Sequence, residues 1–363
     1  MKKASVRRFL AAALALTLSA SLCACDSATE RDTVKIGVSV YKGDDTFISA
    51  MMESFSAAAA AFEEQTGVRV NISIADANES QATQNEQIER FLSLDYDVLC
   101  VNLVDRTDAG AIIDRARDAD VPVVFFNREP VQEDMLKWDR ILYVGSDARE
   151  SATLEAGIVI GRCEADPKSI DTNGDGIIQY VMLEGERRHQ DAIIRTEVSV
   201  ETLKLAGFEV EKLDGGIANW SRDQAAALTE TYLRAYGDRI ELIICNNDDM
   251  ALGAADAVER LGMDFSNIVG IDGTERGLAA VREGRLLGTV VMDLPAHGRA
   301  IFEAAYAFAT GADPADTLDV LPDRSVRIPM YIGTCESLEI RDKRERKPSD
   351  EPYDFIAFAD DFA

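Results

Sequence analysis

Histidine is nearly absent from this sequence, two residues in 363, and a pair cannot build a histidine-rich metal site. Cysteine is sparse as well. Of the six cysteines, Cys100, Cys163, Cys245 and Cys335 are far apart and no C-x-x-C occurs, so neither a disulfide scaffold nor a zinc fold is indicated. Basic residues are outnumbered, 38 Lys+Arg against 65 Asp+Glu, for a net charge of −27. Such an acidic surface repels phosphate backbones, and no basic stripe able to release counterions appears outside a short run near the C-terminus, which argues against a nucleic-acid partner. Enzyme signatures are missing too: there is no P-loop, no G-x-S-x-G, no H-E-x-x-H and no redox cysteine pair.

What is present is a hydrophobic fraction of 47% over a length that suits two domains with cores of their own. The N-terminus reads as an export signal. Lys2, Lys3, Arg7 and Arg8 make a positive start, residues 9–18 an apolar stretch too short to span a bilayer, and small residues come next. Leu22-Cys23-Ala24-Cys25 resembles a bacterial lipobox, with residues 1–24 cleaved and Cys25 lipidated; Cys23 departs from the usual residue there, and a plain secretory signal is the alternative. Residues 25–33 are polar and read as a tether. No later apolar run approaches ~18 residues, so the mature chain is expected to be tethered to a membrane and not to span it.

The remainder alternates strand and helix. Apolar, β-branched runs occur at 34–40, 68–74, 97–103, 122–126, 141–144, 178–183, 208–213, 242–245, 268–271 and 288–291, with helical stretches between most of them, the first at 48–66 closed by Gly67. Near-continuous apolar strands are what parallel sheets covered on both faces require. Ten of them predict an α/β fold of two doubly wound lobes.

In such sheets ligands bind beyond the carboxyl ends of the strands. The residues there are polar to an unusual degree: Asp45 with Phe47 after the first run, Asn127 after 122–126, His189, Asp191 and Arg195 after 178–183, Asn247 after 242–245, and Asp272 after 268–271. Each alone could be a helix cap or turn former. Together they supply carboxylates, carboxamides and a guanidinium fork, and Phe47 and Trp220 add flat apolar faces; a pyranose, with hydroxyls on its edge and C–H groups on its faces, needs all of these. Asp191 and Arg195 are spaced i, i+4 at a helix start, so the Arg is expected to orient the Asp and keep it ionised, although a surface salt bridge would have the same spacing.

A second constellation runs from Asp171 to Gln179. Asp171, Asn173 and Asp175 stand at positions one, three and five of an EF-hand-type loop, Gly176 at six, Ile177 at seven and Gln179 at nine. Position twelve is Met182 where a bidentate Glu is needed. The missing carboxylate must come from elsewhere, or the turn holds calcium weakly or not at all.

From about residue 33 to about 341 the chain resembles the periplasmic galactose/glucose-binding proteins of the type I periplasmic sugar-binding family. The stretches that carry the likeness are IGVSVYKGDDTF, VPVVFFNREP, YVGSDARES, DTNGDGIIQY, LEGERRHQDAIIRT, IELIICNNDDMALGA, VGID and GTVVMD. The resemblance implies that Asp45, Asn127, His189, Asp191, Arg195, Asn247 and Asp272 hydrogen-bond a sugar sandwiched by Phe47 and Trp220. It also implies that Glu241 completes a calcium site made by Asp171, Asn173, Asp175, Gln179 and the carbonyl of Ile177. Met292 is a departure, since the family pattern has an asparagine there. By the same resemblance the lobes comprise 34–145 plus 296–327 and 146–295 plus 328–342, joined by three crossovers near 144–147, 291–295 and 326–329, and residues 343–363 form an extension outside the match. The implied role is an extracytoplasmic, non-enzymatic monomer that delivers D-galactose or D-glucose to the permease of an ATP-driven (ABC) importer, with a ribose-, arabinose- or inositol-type sugar as the alternative and a chemoreceptor as a further partner.

Overall fold

The computed structural model describes residues 33–345; the expected signal peptide, Cys25 and all but the start of the C-terminal extension lie outside them. Two six-stranded sheets form the framework. In the first, β1 (Thr33–Val40), β2 (Arg69–Asp76), β3 (Val98–Val101), β4 (Val123–Phe126) and β5 (Ile141–Gly145) pair in parallel. In the second, β6 (Ile177–Glu184), β7 (Glu209–Ile217), β8 (Leu242–Cys245), β9 (Ile268–Asp272) and β10 (Gly288–Met292) do the same. Strands β3, β4 and β8 are buried at every position, as a sheet covered by helices on both faces demands.

Two further strands, β11 (Ser325–Arg327) and β12 (Met330–Gly333), escape the sequence pattern. At three and four residues they are too short to be periodic. β11 extends the first sheet beside β5, in parallel, while β12 lies antiparallel to β10 in the second, so the second sheet is not wholly parallel.

The helix Thr46–Thr66 shows how the sequence sets these elements. It begins at Thr46, two residues earlier than the apolar pattern alone suggests, because the Asp45 carboxylate accepts from Ile48 N–H, and it stops at Gly67, whose φ of 77° no side-chain-bearing residue adopts cheaply. Its Phe55 and Phe62 pack against Phe302 of the helix Leu294–Thr310, with ring centroids 6.3 and 5.2 Å apart. That second helix comes after β10 of the other sheet, so the chain has returned. It crosses three times in all, between Gly145 and Ala148, between Met292 and Leu294, and between Arg327 and Met330. Ser146, in the first crossing, ties all three: its hydroxyl donates to the Ile328 carbonyl at 3.0 Å and lies 3.0 Å from His297 Nε2, just beyond the second. Among the described residues no helix is long and apolar enough to cross a membrane.

Candidate functional site between the lobes

The carboxyl ends of the two sheets face each other across a chamber. All nine residues singled out in the sequence line it: Asp45, Phe47 and Asn127 from the first lobe, and His189, Asp191, Arg195, Trp220, Asn247 and Asp272 from the second. Tyr41, Ile48 and Arg128 complete the wall and are not among the residues the sequence points to. Arg128 has a signal, since it comes directly after Asn127 beyond β4; Tyr41 and Ile48 sit at the edges of apolar runs and have none. With both lobes lining it, the chamber is small, about 40 Å³.

Several of these residues have their backbone held in place first. Asn127 (φ 61°), Trp220 (φ 61°) and Asp272 (φ 127°) have positive φ, which is costly for a residue with a Cβ and persists where the surroundings enforce it. Gly185 is needed beneath Trp220, because a Cβ there would collide with the indole ring.

The polar groups are arranged with their spare capacity inward. Asp45 accepts from Ile48 N–H at 2.9 Å and from the Tyr41 hydroxyl at 2.5 Å. Asn127 Oδ1 accepts from Asn102, and Asn247 Oδ1 caps the helix Asp248–Arg260 by accepting from Met250 N–H; in each case the carboxamide oxygen is engaged by protein, which orients the amide N–H₂. His189 caps the helix Gln190–Leu205, its Nδ1 accepting from Asp191 N–H at 3.1 Å. The ring proton therefore sits on Nε2. Burial, reinforced by Arg128, Arg195 and Arg106, holds the imidazole pKa well below its usual range, so this ring is neutral at physiological pH.

Arg195 is the cationic centre of the second lobe. Its Nη1 donates to the Asn246 carbonyl at 2.9 Å and its Nη2 to Asp191 Oδ2 at 3.3 Å, while Asp272 Oδ1 lies 3.9 Å from Nη1. Arg195 does orient Asp191, but burial outweighs its charge, and the pKa of Asp191 is raised above the usual carboxyl value, as is that of Asp272. Two guanidinium nitrogens on this wall, Arg195 Nε and Arg128 Nε, are buried without a hydrogen-bond acceptor among the described residues. A buried charged donor left unpaired is costly.

Met292 does not line the chamber. It is 6% exposed, in the apolar core that also holds Met330. The lobes are further linked by Thr46 Oγ1 donating to Asp249 Oδ2 at 2.7 Å and by Arg128 Nη2 donating to Glu186 Oε1 at 2.9 Å, each joining the first lobe to the second.

The loop of the second lobe sits apart from the chamber. Asp171 accepts from Gly174 and Gly176 N–H, Asp175 from Ile177 N–H, and Gln179 Nε2 donates back to Asp175. Glu241, 1% exposed, does reach this loop from its place before β8: its Oε1 accepts from Thr172 and Asn173 N–H at 2.7 and 3.0 Å, and its Oε2 from Gln179 N–H. The turn's two carboxylates, two carboxamides and Ile177 carbonyl, with the Glu241 carboxylate that reaches it from outside, make a hard-oxygen set of the kind calcium takes. The carboxylates are engaged by backbone N–H groups, and no cluster of three or more His, Cys, Asp or Glu side chains poised to hold a metal occurs among the described residues.

Comparison with known proteins agrees with this architecture. Residues 36–313 match the periplasmic binding protein domain family. The chain is 34% identical over 335 residues to the D-galactose/methyl-galactoside binding periplasmic protein MglB of Haemophilus influenzae, covering 92% of this chain and 97% of that one. It is 27% identical to a xylitol-binding protein of Mycolicibacterium smegmatis, over 86% of this chain and 83% of the relative. Among solved structures it is similar to an ABC transporter solute binding protein of Bacillus halodurans with bound myo-inositol, at 28% identity and a TM-score of 0.70, covering 86% of this chain and 98% of that one.

Proposed function

From the premise that this chain belongs to the periplasmic binding protein family, whose members bind solutes outside the cytoplasm and are not enzymes, we propose that it is a receptor for a hexose, D-galactose or D-glucose, delivered to the permease of an ATP-driven importer. The observation that carries the reading is the chamber itself, in which the seven hydrogen-bonding residues and two aromatic rings singled out in the sequence converge from both lobes, beside Tyr41 and Arg128. Phe47 and Trp220 would cover the apolar faces of a pyranose, and the carboxylates Asp45, Asp191 and Asp272 would accept from its hydroxyls. The amides of Asn127 and Asn247, His189 Nε2–H and the Arg195 fork would donate to its oxygens. A neutral His189 and an Arg195 already paired with Asp191 and Asp272 suit an uncharged ligand. Because contacts come from both lobes, ligand selects the closed form, and the permease can read that form.

Asp171, Asn173, Asp175, Gln179, the Ile177 carbonyl and Glu241 would hold calcium, which would brace the second lobe without touching the sugar. Export with a lipid on Cys25, a monomeric state and a chemoreceptor as further partner complete the proposal. A second reading, a polyol, a cyclitol or another monosaccharide such as ribose or arabinose, is favoured by two facts: Met292 stands where the galactose/glucose pattern has an asparagine, and the relatives include a xylitol-binding protein and a structure with myo-inositol bound. A thermal-shift panel of D-galactose, D-glucose, D-ribose, L-arabinose, myo-inositol and xylitol separates the two. Stabilisation by either hexose above all others supports the first, and stabilisation by a different member alone replaces it.

A further inference from the structure

The two lobes repeat one arrangement just behind the chamber. β3 lies between β1 and β4 as β8 lies between β6 and β9, and the residue directly after each is an asparagine, Asn102 and Asn246. Both are fully buried, and neither lines the chamber. In each lobe the asparagine's backbone N–H donates to the last-but-one carbonyl of the neighbouring strand, Ser39 of β1 at 2.9 Å and Leu183 of β6 at 3.0 Å. In each its Oδ1 accepts from the first backbone N–H beyond that strand, Tyr41 at 3.3 Å and Gly185 at 3.0 Å. A backbone N–H can only donate, so each carboxamide has a single orientation, with its oxygen on that N–H.

What the other end of the carboxamide meets differs between the lobes. Asn102 Nδ2 donates to the Phe126 carbonyl at 3.3 Å and to Asn127 Oδ1 at 3.0 Å. The oxygen of Asn127 is thereby held on the protein side and its N–H₂ is left for the chamber, so the Tyr41 N–H dictates, through Asn102, that Asn127 is a donor. Asn246 Nδ2 meets only the Met182 sulfur, a weak acceptor, at 4.0 Å among the described residues. Here the oxygens make the connections: Oδ1 also accepts from Thr196 Oγ1 at 3.2 Å, and the main-chain carbonyl accepts from Arg195 Nη1 at 2.9 Å. Those two consecutive residues belong to the helix Gln190–Leu205, which also carries Asp191, and Gly185 lies beneath the Trp220 indole.

Resting on the sugar-receptor reading, we infer that Asn102 and Asn246 are the paired positioning residues of the site, one for each lobe. Asn102 sets the hydrogen-bond sense of Asn127 through its N–H₂, and Asn246 sets Arg195, its helix and the Trp220 ring through its oxygens. Neither touches the sugar. The same residue type in the same place thus acts through opposite ends, and two kinds of substitution tell the ends apart. Leucine, close to asparagine in size, removes both, while Asn246→Asp keeps every bond that Asn246 accepts, whether or not the new carboxyl is ionised.

Calorimetric titration of the purified protein tests this, using whichever of D-galactose, D-glucose, D-ribose, L-arabinose, myo-inositol and xylitol binds the wild type most tightly. Asn102→Leu should weaken binding roughly tenfold or more, as Asn127→Ala does; added to Asn127→Ala it should cost less than about a further threefold, because the group it acts through is already gone. Asn246→Leu should weaken binding roughly fivefold or more, and Asn246→Asp should restore it to within about threefold of wild type. Where a leucine variant does not fold, Asn102→Ala or Asn246→Ala takes its place. An affinity in Asn102→Leu equal to wild type, losses at 102 and 127 that simply multiply, or an Asn246→Asp that binds as weakly as Asn246→Leu would each overturn the inference. If none of the six compounds binds the wild type, the sugar-receptor reading has failed, and the inference falls with it.

Discussion

His297 Nε2 lies 3.0 Å from Ser146 Oγ, and this contact joins the first crossing between the lobes to the helix that comes after the second. Because the single Ser146 hydroxyl proton goes to the Ile328 carbonyl, the imidazole must donate, which fixes its proton on Nε2 and leaves Nδ1 as a buried lone pair with no partner among the described residues. The same ring stands edge-on to Phe47 across 6.4 Å. One histidine thus supports both the hinge and an aromatic face of the chamber.

Burial pushes the pKa of His297 down to about 4, with Asp293 pulling weakly the other way. The unfolded chain takes up this proton near pH ~6.5. Stability from keeping the ring neutral is therefore present above that pH and is lost as pH falls from ~6.5 toward 4, by up to about 3 kcal/mol. Melting curves of wild type and His297→Gln between pH 7 and 4.5 should converge as the pH drops, because only the wild type loses this contribution. Parallel curves would show that His297 does not titrate on unfolding.

Thr46 reaches across the cleft to Asp249, at 2.7 Å, without lining the chamber. Removing the hydroxyl should cost the closed form about 0.5–1.5 kcal/mol. Thr46→Ala is expected to weaken sugar binding roughly two- to tenfold, through faster dissociation, with the melting temperature of the unliganded protein unchanged. Thr46→Ser should restore the affinity. Equal dissociation rates in Thr46→Ala and wild type would mean that this contact does not help hold the lobes together.

The Asp171–Gln179 loop is organised by Glu241, which lies more than sixty residues further along the chain and accepts from three of the loop's backbone N–H groups. If it holds calcium, a chelator should lower the melting temperature of the wild type, added calcium should restore it, and Glu241→Gln should abolish the response to either. Ligand affinity should move far less than stability, since the loop does not touch the chamber. A wild type that melts identically with chelator and with calcium would rule out a bound ion at this loop.

Much of the fold is legible in the sequence because parallel strands are written as apolar runs, and the residues just beyond each run lie at the cleft by topology. Asp45, Asn127, Asn247 and Asp272 stand out in that way, and the structure gathers them into one chamber. The pattern cannot reveal β11 and β12, which are too short to be periodic. Nor can it place Arg128, whose role depends on Tyr41 beneath it and Glu186 on the other lobe. The raised pKa of Asp191 also escapes it: i, i+4 spacing to Arg195 signals attraction, while burial, the larger effect, appears only once the lobes are assembled. Met292 ends the apolar run of β10, where the sequence pattern points to the cleft, yet its side chain belongs to the core.

Asp191, 3.3 Å from Arg195 on the chamber wall, gives the sharpest handle on whether a hexose binds here. Calorimetric titration of D-galactose and D-glucose into the purified protein, in buffer containing calcium, should show saturable one-to-one binding of at least one of them. In Asp191→Ala that binding should weaken roughly ten- to hundredfold, the loss expected for a charge-assisted hydrogen bond of about 1.5–3 kcal/mol. No heat with either hexose, or the same affinity in both proteins, would contradict a hexose held in this chamber.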